Sequence, residues 1–202
     1  MAGTVDIVNR ALSKLGDMRI SSLDDNTKSA AVAASMYESV RDVEISTHSW
    51  NFAKCRAKLP AEAEKPAFGW AWQYLLPSGC LRVLEAGPWP TAFAGSYAGA
   101  DNRNFTLEGQ RLLSNLGPAL EVVYLSKILD PGLFPPIFVE VLASKLAAEM
   151  AESLIGSNSK RELAWKEYEQ ALRLAKRLNA LGLPPLMVQD DSWMLAHQQG
   201  VL

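Results

Sequence analysis

Histidine and cysteine are scarce in this chain, with two of each in 202 residues. His48 and His197 stand far apart, and Cys55 follows His48 across a helix-to-strand break, so no metal site and no cofactor is expected. Cys55 and Cys80 form no CxxC pair and read as two reduced or buried thiols of a protein made in the cytoplasm. Apolar runs of the ~18–20 residues that a membrane span requires are missing. The start, MAGTVDIVNR, has an early acid and no apolar h-region, so a secretory signal is not expected. Neither GxGxxG nor GxxxxGK[ST] occurs, which leaves nucleotide binding without support. A strong charge is lacking too: 20 Lys and Arg face 22 Asp and Glu, for a net charge of −2. A sequence-specific DNA reader normally carries a basic domain. A nearly neutral surface instead suits a protein past which DNA slides, because phosphates are gripped by Lys and Arg.

What remains is an ordinary globular composition, 49% apolar and 21% charged. Thr4 is expected to cap a first helix through Leu15, stopped by Gly16, with Val8, Ala11, Leu12 and Leu15 on one face. After a polar connector, Asp25 or Asn26 is expected to cap a second helix to about His48. Its apolar face is Ala33, Met36, Val40 and Val43, with Tyr37 beside them. Beyond Trp50 the character changes. NFAKCRAKLP, LRVLEA and ALEVVYLSKI read as strands, the last covered on both faces, and FTLEGQRLLSN as a hairpin turning at Glu108-Gly109. GPWPTAFAGSYAGADNRN is a long loop of the functional or disordered kind. Pro135 or Pro136 then opens a third helix. Its face is Phe138, Val141, Leu142, Leu146, Met150 and Leu154, and Gly156 ends it. A fourth helix follows to Gly182, with Ala164, Tyr168, Ala171, Leu172, Ala175 and Leu178 in register.

The expected fold class is α+β, mainly α. Residues 1–49 and 134–182 would form a four-helix bundle, 50–133 a β-rich insertion lobe, and 183–202 a C-terminal extension.

Few groups point to chemistry. Ser46, Thr47, His48 and Ser49 are adjacent on a helix end, where neighbours point different ways; polar side chains bonding free backbone groups explain them. Asp24-Asp25 and Asp190-Asp191 read as caps and turns. Arg173, Lys176 and Arg177 admit two readings. They complement the helix dipole, helped by a Glu169–Arg173 pair, or they form a cationic patch toward DNA or an acidic partner. Trp50, Phe52, Trp70, Trp72 and Tyr74 serve a core or an interface. The tail LGLPPLMVQDDSWMLAHQQGVL is apolar without a clear period. Its large side chains would each contribute roughly 1.5–3 kcal/mol if buried, either on their own domain or on another chain.

Several motifs recur in one order. IVNRALSKLGDMRISSLDD is followed by an Ala-rich helix closing in HSWNFAKCRAKLP, then WQYLLPSGCLRVLEAG, then EVVYLSKILDPGLFPPIFVEVLASKLAAEMA and a last amphipathic helix. Trp50-Asn51-Phe52, Leu76-Pro77 with Leu81-Arg82, and Pro135-Pro136 mark the pattern. Across almost its whole length the chain resembles the head-to-tail adaptors of tailed bacteriophages, the tail tubular protein A-like group. The resemblance implies a non-enzymatic virion protein of the head–tail neck. About twelve copies would form a ring under the portal protein, dock the downstream tail or nozzle protein and let DNA pass, with no membrane contact. It implies that the tail reaches the portal through Leu186, Met187, Trp193, Met194 and Leu195, and that the loop with Trp89, Phe93, Tyr97 and Arg103 faces the tail. Small-residue faces at Ala30, Ala31, Ala34, Ala143, Ala147 and Ala151, and the charged outer faces, are the candidates for the ring interface. Two other classes remain: a virion-associated cell-wall hydrolase using Glu85, Asp101 and Glu108, which needs paired carboxylates at a cleft, and a helical partner-binding module.

Overall fold

The computed structural model describes residues 3–87 and 105–182. It is a mixed α/β structure with four helices and two small antiparallel sheets. The chain divides into two compact units. The first holds residues 3–57, 77–84 and 123–182, and the second holds the remaining described residues. The first unit therefore takes in strand segments as well as helices, where the sequence suggested helices alone.

Helix α1 (Thr4–Leu15) begins one residue earlier than a Thr4 cap would place it. Gly3 is the N-cap, and its backbone N–H donates to the Asp6 carboxylate at 2.9 Å. Gly16 closes the helix in the left-handed conformation at φ 72°, with the Asp17 N–H returning to the Leu12 carbonyl. Such a position suits a residue without Cβ. Val8, Ala11, Leu12 and Leu15 are buried as expected, together with Ile7. Asn9 is buried too. Its amide donates to the Ile20 carbonyl at 2.9 Å, and its side-chain oxygen accepts from the Ile20 N–H at 2.8 Å. One side chain thus replaces a strand partner for the connector.

Helix α2 (Lys28–Thr47) is capped by Thr27, which accepts from the Ala30 N–H. Asp25, the expected cap, instead accepts from the Ser21 and Ser22 N–H groups and holds the connector. Ala33 and Tyr37 are buried as expected. Val43, placed on the apolar face by its spacing, is 53% exposed, and Ala30, Arg41, Glu44 and Ile45 are buried instead. The helix stops at His48. The Trp50 indole N–H then reaches back to the Glu44 carbonyl at 3.0 Å, satisfying one free carbonyl of the last turn. Trp50 and Phe52 join Phe134 and Phe138 in one edge-to-face aromatic group, with centroids 4.7–5.2 Å from Phe138.

Helix α3 (Pro136–Ile155) is buried around most of its circumference. Phe138, Val141, Leu142, Leu146 and Met150 are inside, and so are Val139, Ala143, Ala147, Ala148 and Ala151. It packs against α1, α2 and helix α4 (Asn158–Leu181). Only Gly156 and Ser157 separate α3 from α4. Gly156 has φ 64°, and a Cβ there would meet nothing within 4 Å. On α4, Ala164 and Ala175 are buried and Tyr168, Ala171 and Leu172 pack on the core, but Leu178 is 47% exposed despite its register. Lys14 bridges α1 to α3 and α4 through Glu140 at 2.6 Å and Glu167 at 3.4 Å.

The strands are β1 (Lys54–Pro60), β2 (Trp72–Leu75), β3 (Cys80–Ala86), β4 (Phe105–Glu108), β5 (Arg111–Ser114) and β6 (Ala119–Ser126). One sheet has the order β1-β6-β3, the other β2-β5-β4. Both faces of β6 carry buried residues, Leu120 and Val122 on one and Val123 and Leu125 on the other. The β4–β5 hairpin turns through Gly109, at φ 59°, and Gln110, one residue past the expected turn. In the second unit Tyr74 and Leu112 are paired across β2 and β5 and fully buried, and the Tyr74 hydroxyl is bonded to the Leu116 and Gly117 carbonyls. The expected aromatic cluster is therefore divided: Trp50 and Phe52 belong to the first unit, Trp70, Trp72 and Tyr74 to the second.

Among the described residues no helix is long and apolar enough to cross a membrane. Cys55 lies on β1 and Cys80 on β3, with β6 between them, and both are free. Strands neighbour at about 4.8 Å, so β1 and β3 run roughly 10 Å apart across β6, beyond the ~7 Å that a disulfide spans. The unreduced, denatured chain should accordingly take up two equivalents of alkylating reagent by mass. Asn9→Ala should cost about 2–4 kcal/mol in urea unfolding, because it strands the Ile20 N–H and carbonyl in a buried place.

Candidate assembly surfaces

The end of α4 is tied down through one side chain. The Asn51 N–H donates to the Asn179 side-chain oxygen at 2.9 Å, and the Asn51 amide donates to the Asn179 carbonyl at 2.8 Å. The Asn179 amide in turn donates to the Ser49 carbonyl at 3.0 Å and lies 3.4 Å from His48 Nε2. The last turn of α4 is thereby fastened to the segment that follows α2. Asn179 was not singled out by sequence reasoning. Its signal is its place four residues after Ala175 and seven after Leu172, a polar residue on the inward face, which needs a partner.

The segment 48–51 is structural in its contacts. The Ser46 and Thr47 hydroxyls donate to the Val43 and Glu44 carbonyls of their own helix. Ser49 accepts from Arg82 at 3.1 Å. Burial, then the nearby Lys176, Arg82 and Lys54, hold the His48 ring below the ordinary histidine pKa.

The outer face of α4 is distinctive in composition. From Gln170 to Gly182 the chain has no acid and three cations, Arg173, Lys176 and Arg177, all exposed. Leu163, Leu174, Leu178 and Leu181 are exposed along the same helix, with 47–81% of their surface open. Positions 174, 178 and 181 follow the i, i+4, i+7 spacing of one stripe. The expected Glu169–Arg173 ion pair does not form; Arg173 Nε donates to the Glu169 backbone carbonyl at 3.3 Å.

The small-residue faces fare differently. Ala30, Ala143, Ala147 and Ala151 are fully buried in the first unit. They let α3 approach its neighbours closely and have no surface left for another copy. Ala31 and Ala34 are exposed on α2 and remain available. The residues expected to meet the portal, Leu186, Met187, Trp193, Met194 and Leu195, lie outside the described residues. So do Trp89, Phe93, Tyr97 and Arg103 of the long loop, and Asp101.

In the second unit a pocket of about 330 Å³ is lined by Glu64, Lys65, Phe68, Gln73, Glu108 and Arg111 among others. Arg111 is held by Glu62 at 2.7 Å and stands opposite Glu108 across the β4–β5 hairpin. Glu85 lies on β3 and does not line this pocket. Among the described residues no three His, Cys, Asp or Glu gather as a metal site. No known protein family matches the chain, and no curated protein matches it.

Asn179→Ala should destabilise the chain by about 2 kcal/mol, since it removes three hydrogen bonds at a half-buried position. Hydrogen exchange should quicken over residues 176–182 and stay unchanged over α3.

Proposed function

We propose that the chain is a structural subunit of a bacteriophage head-to-tail adaptor. Copies of it form a ring beneath the portal protein, join the head to the next tail component and leave a channel for DNA. In this reading the four helices make a bundle, the strands between α2 and α3 form an inserted lobe, and residues 183–202 reach the portal. The observation that carries the reading is the anchored end of α4. The first unit closes one core from α1 to α4 together with Trp50, Ala53, Leu125 and Phe134, and the Asn179–Asn51 contacts fasten the helix end that precedes the apolar extension. The order of elements, two helices, strands and two helices, supports the resemblance drawn from the motifs.

A ring requires a heterologous interface, in which one face of a subunit meets a different face of the next. The exposed face of α4, with Leu174, Leu178 and Leu181 among cations, and the smooth face of α2 at Ala31 and Ala34 are the two surfaces offered. Trp193 is the natural hot spot of the portal contact, as a large aromatic in an otherwise small segment. Pro184 and Pro185 lower the ordering cost of an extended tail.

Electron microscopy of the chain mixed with the portal of the same phage tests the reading. Rings of about twelvefold symmetry seated on the portal are the expected result. A chain that stays monomeric and ignores the portal would count against it. Truncation after Gly182 should preserve a cooperative melt and abolish portal binding; a lost melt would mean that the tail belongs to the core.

A further inference from the structure

Glu44 is an anomaly of the helical unit. It sits on α2 with 1% of its surface exposed. Its Oε2 accepts from the Tyr168 hydroxyl of α4 at 2.9 Å, and its Oε1 has no hydrogen-bond partner. Among the described residues no cation comes within ion-pairing distance of it. Lys145 of α3 and Lys176 of α4 act on it only at longer range. Lys145 is already engaged, 3.1 Å from Glu149 and 4.1 Å above the Trp165 ring. On α2 itself, Arg41 one turn before pairs with Asp42 at 2.8 Å, and His48 one turn after faces Asn179. A buried carboxylate with one hydrogen bond and no counter-ion is costly, and a neutral carboxyl at the same place costs far less.

We infer that the Glu44–Tyr168 contact is a proton-operated latch. Glu44 is carried as the neutral acid in the closed subunit, and loss of its proton releases α4 from α2. Helix α4 is suited to such release. Ala164 and Ala175 are its two buried residues, while eleven of the 20 residues of α3 are buried. The released segment would be the one that carries the exposed leucine stripe and the base of the extension.

The direction of the pH response follows. Burial, opposed by the Tyr168 hydrogen bond and the two lysines, leaves the Glu44 pKa raised above the ordinary 4.5. In the open state Glu44 ionises near its ordinary value. The latch is therefore fully held below about pH 4.5 and is lost as pH rises through the closed-state value. His48 acts with the opposite sign: its lowered pKa favours the closed state as pH rises. The two groups can thus be told apart.

Hydrogen exchange of the whole chain between pH 4 and 8.5, corrected for intrinsic exchange, tests the latch. Opening of α4 should rise by about tenfold for each pH unit between the open-state and closed-state values of Glu44. Glu44→Gln should remove the rise and keep α4 protected at high pH, and His48→Gln should leave the rise in place. A pH-independent α4 in the native chain, or the same rise in Glu44→Gln, would overturn the proposal. If Glu44→Gln fails to fold, the infrared C=O stretch of a buried protonated carboxylic acid, followed in the native chain as pH rises from 4.5, decides. A band that vanishes on titration in step with α4 opening supports the latch, and its absence refutes it.

Discussion

A helix with buried apolar residues around most of its circumference has to be covered from several sides, and α3 is such a helix. Eleven of its 20 residues are buried. Water would charge roughly 25 cal/mol for each Å² of that surface left open, so α1, α2 and α4 are all recruited as its cover. Other features of the unit serve this arrangement. Alanines at 143, 147 and 151 bring the covering helices close. Pro136 and Gly156 set the two ends of α3. Lys14, reaching Glu140 and Glu167, pins two of the covering helices at the rim, where such pairs are worth at most about 1 kcal/mol.

The same constraint explains which parts of the structure were legible in the sequence. Helix α1 has one apolar stripe with polar residues around it, and its buried face reads off directly. The strands and the hairpin are marked by alternation and by Gly109. Helix α3 was recognisable as a helix, yet its alanine stripe could not be assigned. An alanine buried against the chain's own neighbours and one awaiting another copy look alike in spacing. Helices α2 and α4 were harder still, because each buries polar groups at core positions. Arg41, Glu44 and Asn179 interrupt the apolar period, and Val43 and Leu178 complete it falsely. Caps missed by a residue or two at Gly3 and Thr27 reflect competition among several capable side chains in a polar connector.

The candidate site was less legible than the fold. The cations of α4 were visible as a run without acids, and their exposure follows from the register. The anchoring of the helix end was not visible. It depends on two asparagines 128 residues apart in sequence, and no local pattern pairs them. The burial of four of the candidate alanines moves the search for a subunit interface away from α3 and toward the outer faces of α2 and α4.

The two-residue link between α3 and α4 has one more consequence. Gly156 bends the chain only because its backbone adopts a left-handed conformation, and no neighbour blocks a side chain there. A residue with Cβ would fit the space while resisting the bend, and the alternative open to it is to continue as helix. Residues 136–181 would then form one rod of roughly 70 Å, with α4 carried far from its seat. Two such rods could satisfy each other by exchanging their fourth helices. A glycine at 156 thus disfavours the continuous rod, and with it the exchange of fourth helices that such a rod would permit.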